Sequence, residues 1–119
     1  MRVFVLAGAF CFIAATAEAQ NCRVPTIRTF DNQTVDGRMT VKAGKRCTIF
    51  LRSSMGPVET TSIVGQPAAG SVTVRGTRVT YVPKAGYTGS DRFTYARTGQ
   101  DRYGRRSVKT VNVNVQIIP

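Results

Sequence analysis

The C-terminal end of the chain places the strongest constraint on its fold. Val111, Val113, Val115 and Ile117 occupy every second position, and Thr110, Asn112, Asn114 and Gln116 fill the places between. A period of two gathers the apolar set on one face of an extended strand, whereas a helix would scatter it around its circumference. The pattern recurs upstream. Val35, Met39 and Val41 share one parity against Arg38, Thr40 and Lys42, and Cys47, Ile49 and Leu51 alternate with Arg46, Thr48 and Arg52. Phe50 breaks this alternation and is expected either to cover an edge or to face a partner. Val72 and Val74 run into Arg75-Gly76 and on to Val79 and Tyr81, which reads as a hairpin. Phe93 and Tyr95 form the next alternating pair. Val108 has the wrong parity for the last strand, so a bulge or turn is expected before residue 110.

Turn signals separate these runs: Asp36-Gly37, Ala43-Gly44-Lys45, Met55-Gly56-Pro57, Gly65-Gln66-Pro67, Pro83-Lys84-Ala85-Gly86, Gly89 and Gly104. No stretch carries a helical period, and no linker, charge block or internal repeat divides the chain. Seven or eight short strands in about 100 residues predict one all-β domain, an antiparallel β-sandwich over residues 20–119.

The first nineteen residues read as an address rather than as part of the fold. Met1-Arg2 precedes an uncharged apolar run from Val3 to Ala15, and Thr16-Ala17-Glu18-Ala19 supplies an A-x-A cleavage site. The run falls short of the ~20 residues of a membrane span, so no transmembrane span is expected in the mature protein. Phe10 before Cys11 and Asn21 before Cys22 do not fit a lipid-attachment box, which wants a small residue there. The expectation is a cleaved signal peptide over 1–19 and a periplasmic or extracellular product. Cleavage removes Arg2, Glu18 and Cys11, which leaves the net charge of +11 unaltered and an even pair of cysteines, Cys22 and Cys47. In an exported domain that pair reads as one disulfide. Closing a loop of about 26 residues, it is worth roughly 3–4 kcal/mol in the chain-entropy model.

Composition excludes most catalytic chemistry. The chain has no His, which removes Ser-His and Cys-His systems and His-based metal sites. Asp31, Asp36, Glu59, Asp91 and Asp101 are scattered, so calcium, which needs several oxygens together, is not expected. Two thiolates alone do not complete a zinc site. Ser107 and Lys109 on one strand do not make a dyad with an oxyanion hole. No catalytic residue, metal or cofactor is expected, and the chain reads as a non-enzyme.

The segment from Pro67 to Ile117 resembles the bacterial immunoglobulin-like (cadherin-like) domains found singly or in tandem in exported proteins. The residues that carry the resemblance are Gly70-Ser71-Val72, the run from Tyr81 to Tyr95 with the pattern Y-x-P-x-x-G-Y-x-G-x-D-x-F-x-Y, Asp101-Arg102-Tyr103-Gly104 and the terminal valine strand. It covers about half of the mature chain; the N-terminal half matches only as generic strands. The resemblance implies an immunoglobulin-like β-sandwich. Within the run, Pro83 ends a strand or lies on an edge. Asp91 is placed to accept hydrogen bonds from loop amides, and Tyr95 stands where a tyrosine corner would return its hydroxyl to the backbone. The chain has no Trp, and Arg97 stands where antibody-type domains have the second Cys. The Cys22–Cys47 bridge is therefore expected to tie the N-terminus to an early strand, a different task from the usual sheet-to-sheet link.

One local concentration of charge stands out. Residues 97–109 hold five bases, Arg97, Arg102, Arg105, Arg106 and Lys109, against Asp101, with Tyr103 among them. By the resemblance this is the hairpin between the last two strands, a loop often used for recognition. Arginines bind phosphate or carboxylate in bidentate fashion, and Tyr103 adds a flat amphipathic surface. Arg102, Tyr103, Arg105 and Arg106 are the candidate contacts for an anionic glycan, lipid or protein partner. The alternative is a solvated hairpin whose bases serve solubility. A charge of +11 binds polyanions non-specifically at low salt, but specific nucleic-acid binding is not expected of an exported protein whose aromatics mostly look like core. A second reading is a structural subunit adding an edge strand to a larger exported assembly, favoured if Phe50 and the long terminal strand lie on an edge. The sequence leaves the oligomeric state and the partner open.

Overall fold

The structure, a computed structural model, describes residues 21–51 and 60–119. The expected leader over 1–19, with Cys11, and the turn signal Met55-Gly56-Pro57 lie outside the described residues. Those described form eight strands: β1 (Cys22–Arg23), β2 (Thr34–Lys42), β3 (Cys47–Phe50), β4 (Thr60–Gly65), β5 (Gly70–Arg75), β6 (Arg78–Pro83), β7 (Gly89–Gln100) and β8 (Arg106–Ile118). They make two sheets, one of five strands in the order β1-β2-β8-β7-β4 and one of three in the order β3-β6-β5. The all-β immunoglobulin-like sandwich expected from the sequence is thus present. Neighbouring strands are antiparallel except β2 and β8, which run parallel from Thr34↔Thr110 to Lys42↔Ile118. No helix among the described residues is long and apolar enough to cross a membrane.

Alternation works as the sequence implied. Val111, Val113, Val115 and Ile117 are all buried, as are Met39 and Val41 of β2, Ile49 of β3, and Val79 and Tyr81 of β6. These side chains meet in one cluster between the sheets. Tyr81 from the small sheet stacks on Phe93 from the large one, ring centroids 5.7 Å apart and planes within 8°. Each such fully buried side chain contributes about 1.5–3 kcal/mol of hydrophobic stabilisation.

Several local expectations are corrected. Asp36-Gly37 is not a turn; both residues lie inside β2, and Gly37 is buried opposite Val113. A Cβ on Gly37 would come within 2.7 Å of Ile27 Cδ1, so this glycine serves close packing rather than chain reversal. The hairpin turn falls on Gly76-Thr77, one residue beyond Arg75-Gly76, because Arg75 already pairs with Arg78. No bulge precedes residue 110: β7 and β8 stay in register from Gly89↔Ile117 to Gln100↔Arg106. Val108 simply faces outward, and the small Ser107 takes the buried place, its hydroxyl donating to Asp31 Oδ1 at 2.5 Å. The long terminal strand is not an edge; it lies between β2 and β7.

The cysteines form the expected disulfide, with Cα atoms 5.1 Å apart. Its task differs from the expectation. β1 belongs to the five-stranded sheet and β3 to the three-stranded one, so the bridge does join the two sheets, at their outer strands. Sequence separation along the chain could not show that the short N-terminal strand pairs with β2 in the opposite sheet from β3.

Candidate functional site

The β7–β8 hairpin ends in a tip built around one carboxylate. Asp101 and Gly104 close a four-residue turn, with Gly104 N–H donating to the Asp101 carbonyl at 3.0 Å. Aspartate at the first place and glycine at the fourth suit such a turn, and Gly104 sits at φ 79°, open to glycine without strain. Asp101 Oδ1 accepts the amides of Tyr103 and Arg105 at 2.8 and 2.9 Å, and its Oδ2 takes Arg105 Nε at 3.2 Å. The amide of Arg105 is the largest influence and exceeds the opposing effect of burial; with the lesser contributions of the Tyr103 amide and the Arg105 guanidinium it holds this carboxyl below the usual carboxylate range.

The fold thereby displays Tyr103 between two cations. The ring is 69% exposed. The Arg102 guanidinium carbon lies 5.9 Å from its centroid and that of Arg105 5.1 Å away. Arg106, exposed at the start of β8, stands next in line. Guanidinium groups resting on an aromatic face keep their edges for bidentate contacts to phosphate, sulfate or carboxylate. Of the residues proposed from sequence as anion contacts, Arg102, Tyr103 and Arg105 are thus brought together at the hairpin tip, while Arg106 lies beside them as the first residue of β8, paired with Gln100. Arg97 and Lys109 are not part of it: they face each other across the β7–β8 ladder, three register positions below the end of the paired strands. Sequence reasoning overlooked Asp101 as the organiser of the tip, although the Asp-x-x-Gly spacing carried the signal.

A second carboxylate, Asp91, braces the opposite end of β7. Its Oδ1 accepts Ala68 N–H at 3.0 Å and Arg92 N–H at 2.8 Å; its Oδ2 accepts Ala69 N–H at 3.0 Å and the Tyr81 hydroxyl at 2.6 Å. Burial alone would raise its pKa, but the Tyr81 hydroxyl and the three amides together outweigh burial and lower it. Burial, then the adjacent Asp91, push the Tyr81 hydroxyl strongly upward. This is the loop-amide role anticipated for Asp91. The tyrosine corner is not found at Tyr95, whose buried ring fills the core; the hydroxyl returning to the backbone is that of Tyr87, donating to the Ser90 carbonyl at 2.7 Å.

No curated protein matches the chain. A family model, the bacterial Ig domain, matches residues 23–114. That span takes in the N-terminal half, which the sequence showed only as generic strands, and runs from β1 well into β8. With the two-sheet sandwich and the Tyr81–Tyr95 run in place, the match over most of the sequence shows that the chain belongs to the bacterial Ig domain family.

Proposed function

We propose that this chain is a small exported, non-enzymatic binding module that docks an anionic glycan, lipid headgroup or acidic protein through the tip of its last hairpin. The observation that carries the reading is the exposed Tyr103 ring flanked by the Arg102 and Arg105 guanidinium groups and held by Asp101. A hairpin kept only for solubility needs charge but no fixed arrangement of it. The Cys22–Cys47 disulfide supports an oxidising compartment, periplasmic or extracellular. It agrees with a cleaved leader over 1–19 and one domain over 20–119. Specific nucleic-acid recognition is no part of the proposal, since the net charge of +11 accounts for non-specific polyanion binding by itself.

The test is binding of the mature chain to a sulfated polysaccharide and to vesicles carrying an anionic lipid, across a salt series. Reversing Arg102, Arg105 and Arg106 to Glu is expected to weaken binding to at least one of them by about tenfold or more and to flatten its salt dependence. Unchanged affinity and salt slope for both, in a variant that keeps its melting temperature, would discard the tip as a site.

A further inference from the structure

Among the described residues the small sheet has an unpaired edge: β3 pairs with β6, and no described strand pairs with its other side. The pairing phase can be read. Leu51 N–H donates to the Thr77 carbonyl at 2.8 Å, so Ile49 and Cys47, two and four residues back, also turn their backbone groups toward β6. Thr48 and Phe50 then direct theirs outward. The closeness of their side chains to β6 agrees with this: Thr48 Oγ1 lies 3.0 Å from Thr80 Oγ1, and Arg78 rests over the Phe50 ring at 5.5 Å.

This edge borders a groove of ≈ 1170 Å³ whose far wall is the segment 21–30. Phe30 and Phe50, both largely exposed, supply apolar surface. Arg28, Lys45, Arg46 and Arg97 also line it, and among the described residues of its wall none is acidic. A strand edge unpaired among the described residues, apolar patches and walls whose described charges are all basic together fit one kind of occupant. We propose that the outer edge of β3 receives an extended acidic segment of another polypeptide, added as a fourth strand to the small sheet. A second copy of this chain is a poor occupant, because each carries +11. The site is distinct from the Arg102–Arg106 tip and stands independently of it.

The experiment uses the disulfide-bonded mature chain and a ten-residue synthetic peptide alternating Val and Glu. Its control is the same peptide N-methylated at every amide, which keeps the charge and loses all backbone donors. The alternating peptide is expected to bind at least about tenfold more tightly than its N-methylated form, and to slow amide exchange at Thr48 and Phe50. Lys45→Glu with Arg46→Glu should weaken it by a similar factor, while charge reversal at Arg102, Arg105 and Arg106 should leave it unchanged. Phe50→Pro removes an outward N–H together with the Phe50 ring and should abolish binding, whereas Phe50→Ala, which keeps the N–H, should retain part of it; if the proline variant does not fold, the N-methylated comparison decides alone. No binding, equal binding of the two peptides, or unaltered exchange at Thr48 and Phe50 would overturn the proposal.

Discussion

Replacing Asp91 with Asn tests what holds together the end of the sandwich opposite the β7–β8 hairpin tip. Asp91 joins three elements: β7, on which it stands; the Ala68–Ala69 entry to β5; and Tyr81 of β6. Asparagine keeps the shape and one acceptor oxygen, which can still serve Ala68 and Arg92. It puts an amino group where Oδ2 was, facing the Ala69 amide and the Tyr81 hydroxyl. The hydroxyl can rotate to accept, but the amide cannot, so one donor loses its partner and the remaining bonds lose their charge assistance. Such bonds to a charged acceptor are worth about 1.5–3 kcal/mol each, and Asp91 keeps some access to water, so a net loss of about 2–3 kcal/mol is expected. For a domain of this size each kcal/mol moves the melting temperature by about 4–8 °C, giving a fall of roughly 10–20 °C near neutrality. The sign with pH follows from the lowered pKa of Asp91 in the folded state. Its stabilising contribution is present above the unfolded value of about 3.9 and is lost as pH falls through the folded value. The gap between wild type and Asp91→Asn should therefore close on acidification. Calorimetry across that range is the assay. A fall below about 3 °C near neutrality, or a gap that persists undiminished in strong acid, would refute the reasoning.

At the alkaline end, the raised pKa values of Tyr81 and Tyr95 predict stability that is full below the unfolded tyrosine value of about 10 and declines above it; Tyr81→Phe should lessen that decline in an alkaline melting series. Replacing both Cys22 and Cys47 with Ala should cost roughly 3–4 kcal/mol in denaturant unfolding, because the bridge fastens the outer strands of both sheets. Asp101→Ala should leave the melting temperature nearly unchanged and speed amide exchange at Tyr103 and Arg105, whose amides it holds. Gly70→Ala should destabilise the fold, since its Cβ would lie 2.6 Å from the Val82 carbonyl oxygen and 2.8 Å from the Tyr81 hydroxyl; intrusions of this kind cost about 1–3 kcal/mol in chemical denaturation.

By itself, the sequence determined the strand class, the inward set and the disulfide pair. Each follows from a property carried along the chain: Val111 to Ile117 alternate because every second side chain on a strand meets solvent, and Cys22 and Cys47 are the pair that the reading of residues 1–19 as a leader leaves. The local arrangement of Asp91 was legible too, since a carboxylate beside a glycine-rich turn has amides within reach. Only the tertiary structure decided which strands neighbour which. It placed β8 inside the large sheet rather than at its edge, put β1 and β3 in different sheets so that the bridge links the two, and gave the backbone-directed hydroxyl to Tyr87 rather than Tyr95. It also divided the basic run 97–109, sending Arg97 to the β3 groove, leaving Arg102 and Arg105 on the tip and placing Arg106 in β8. The physical reason is the same in each case. Burial writes a short period into the sequence, whereas strand order is set by contacts between residues far apart, such as Val41 with Ile117, whose pairing leaves no local mark.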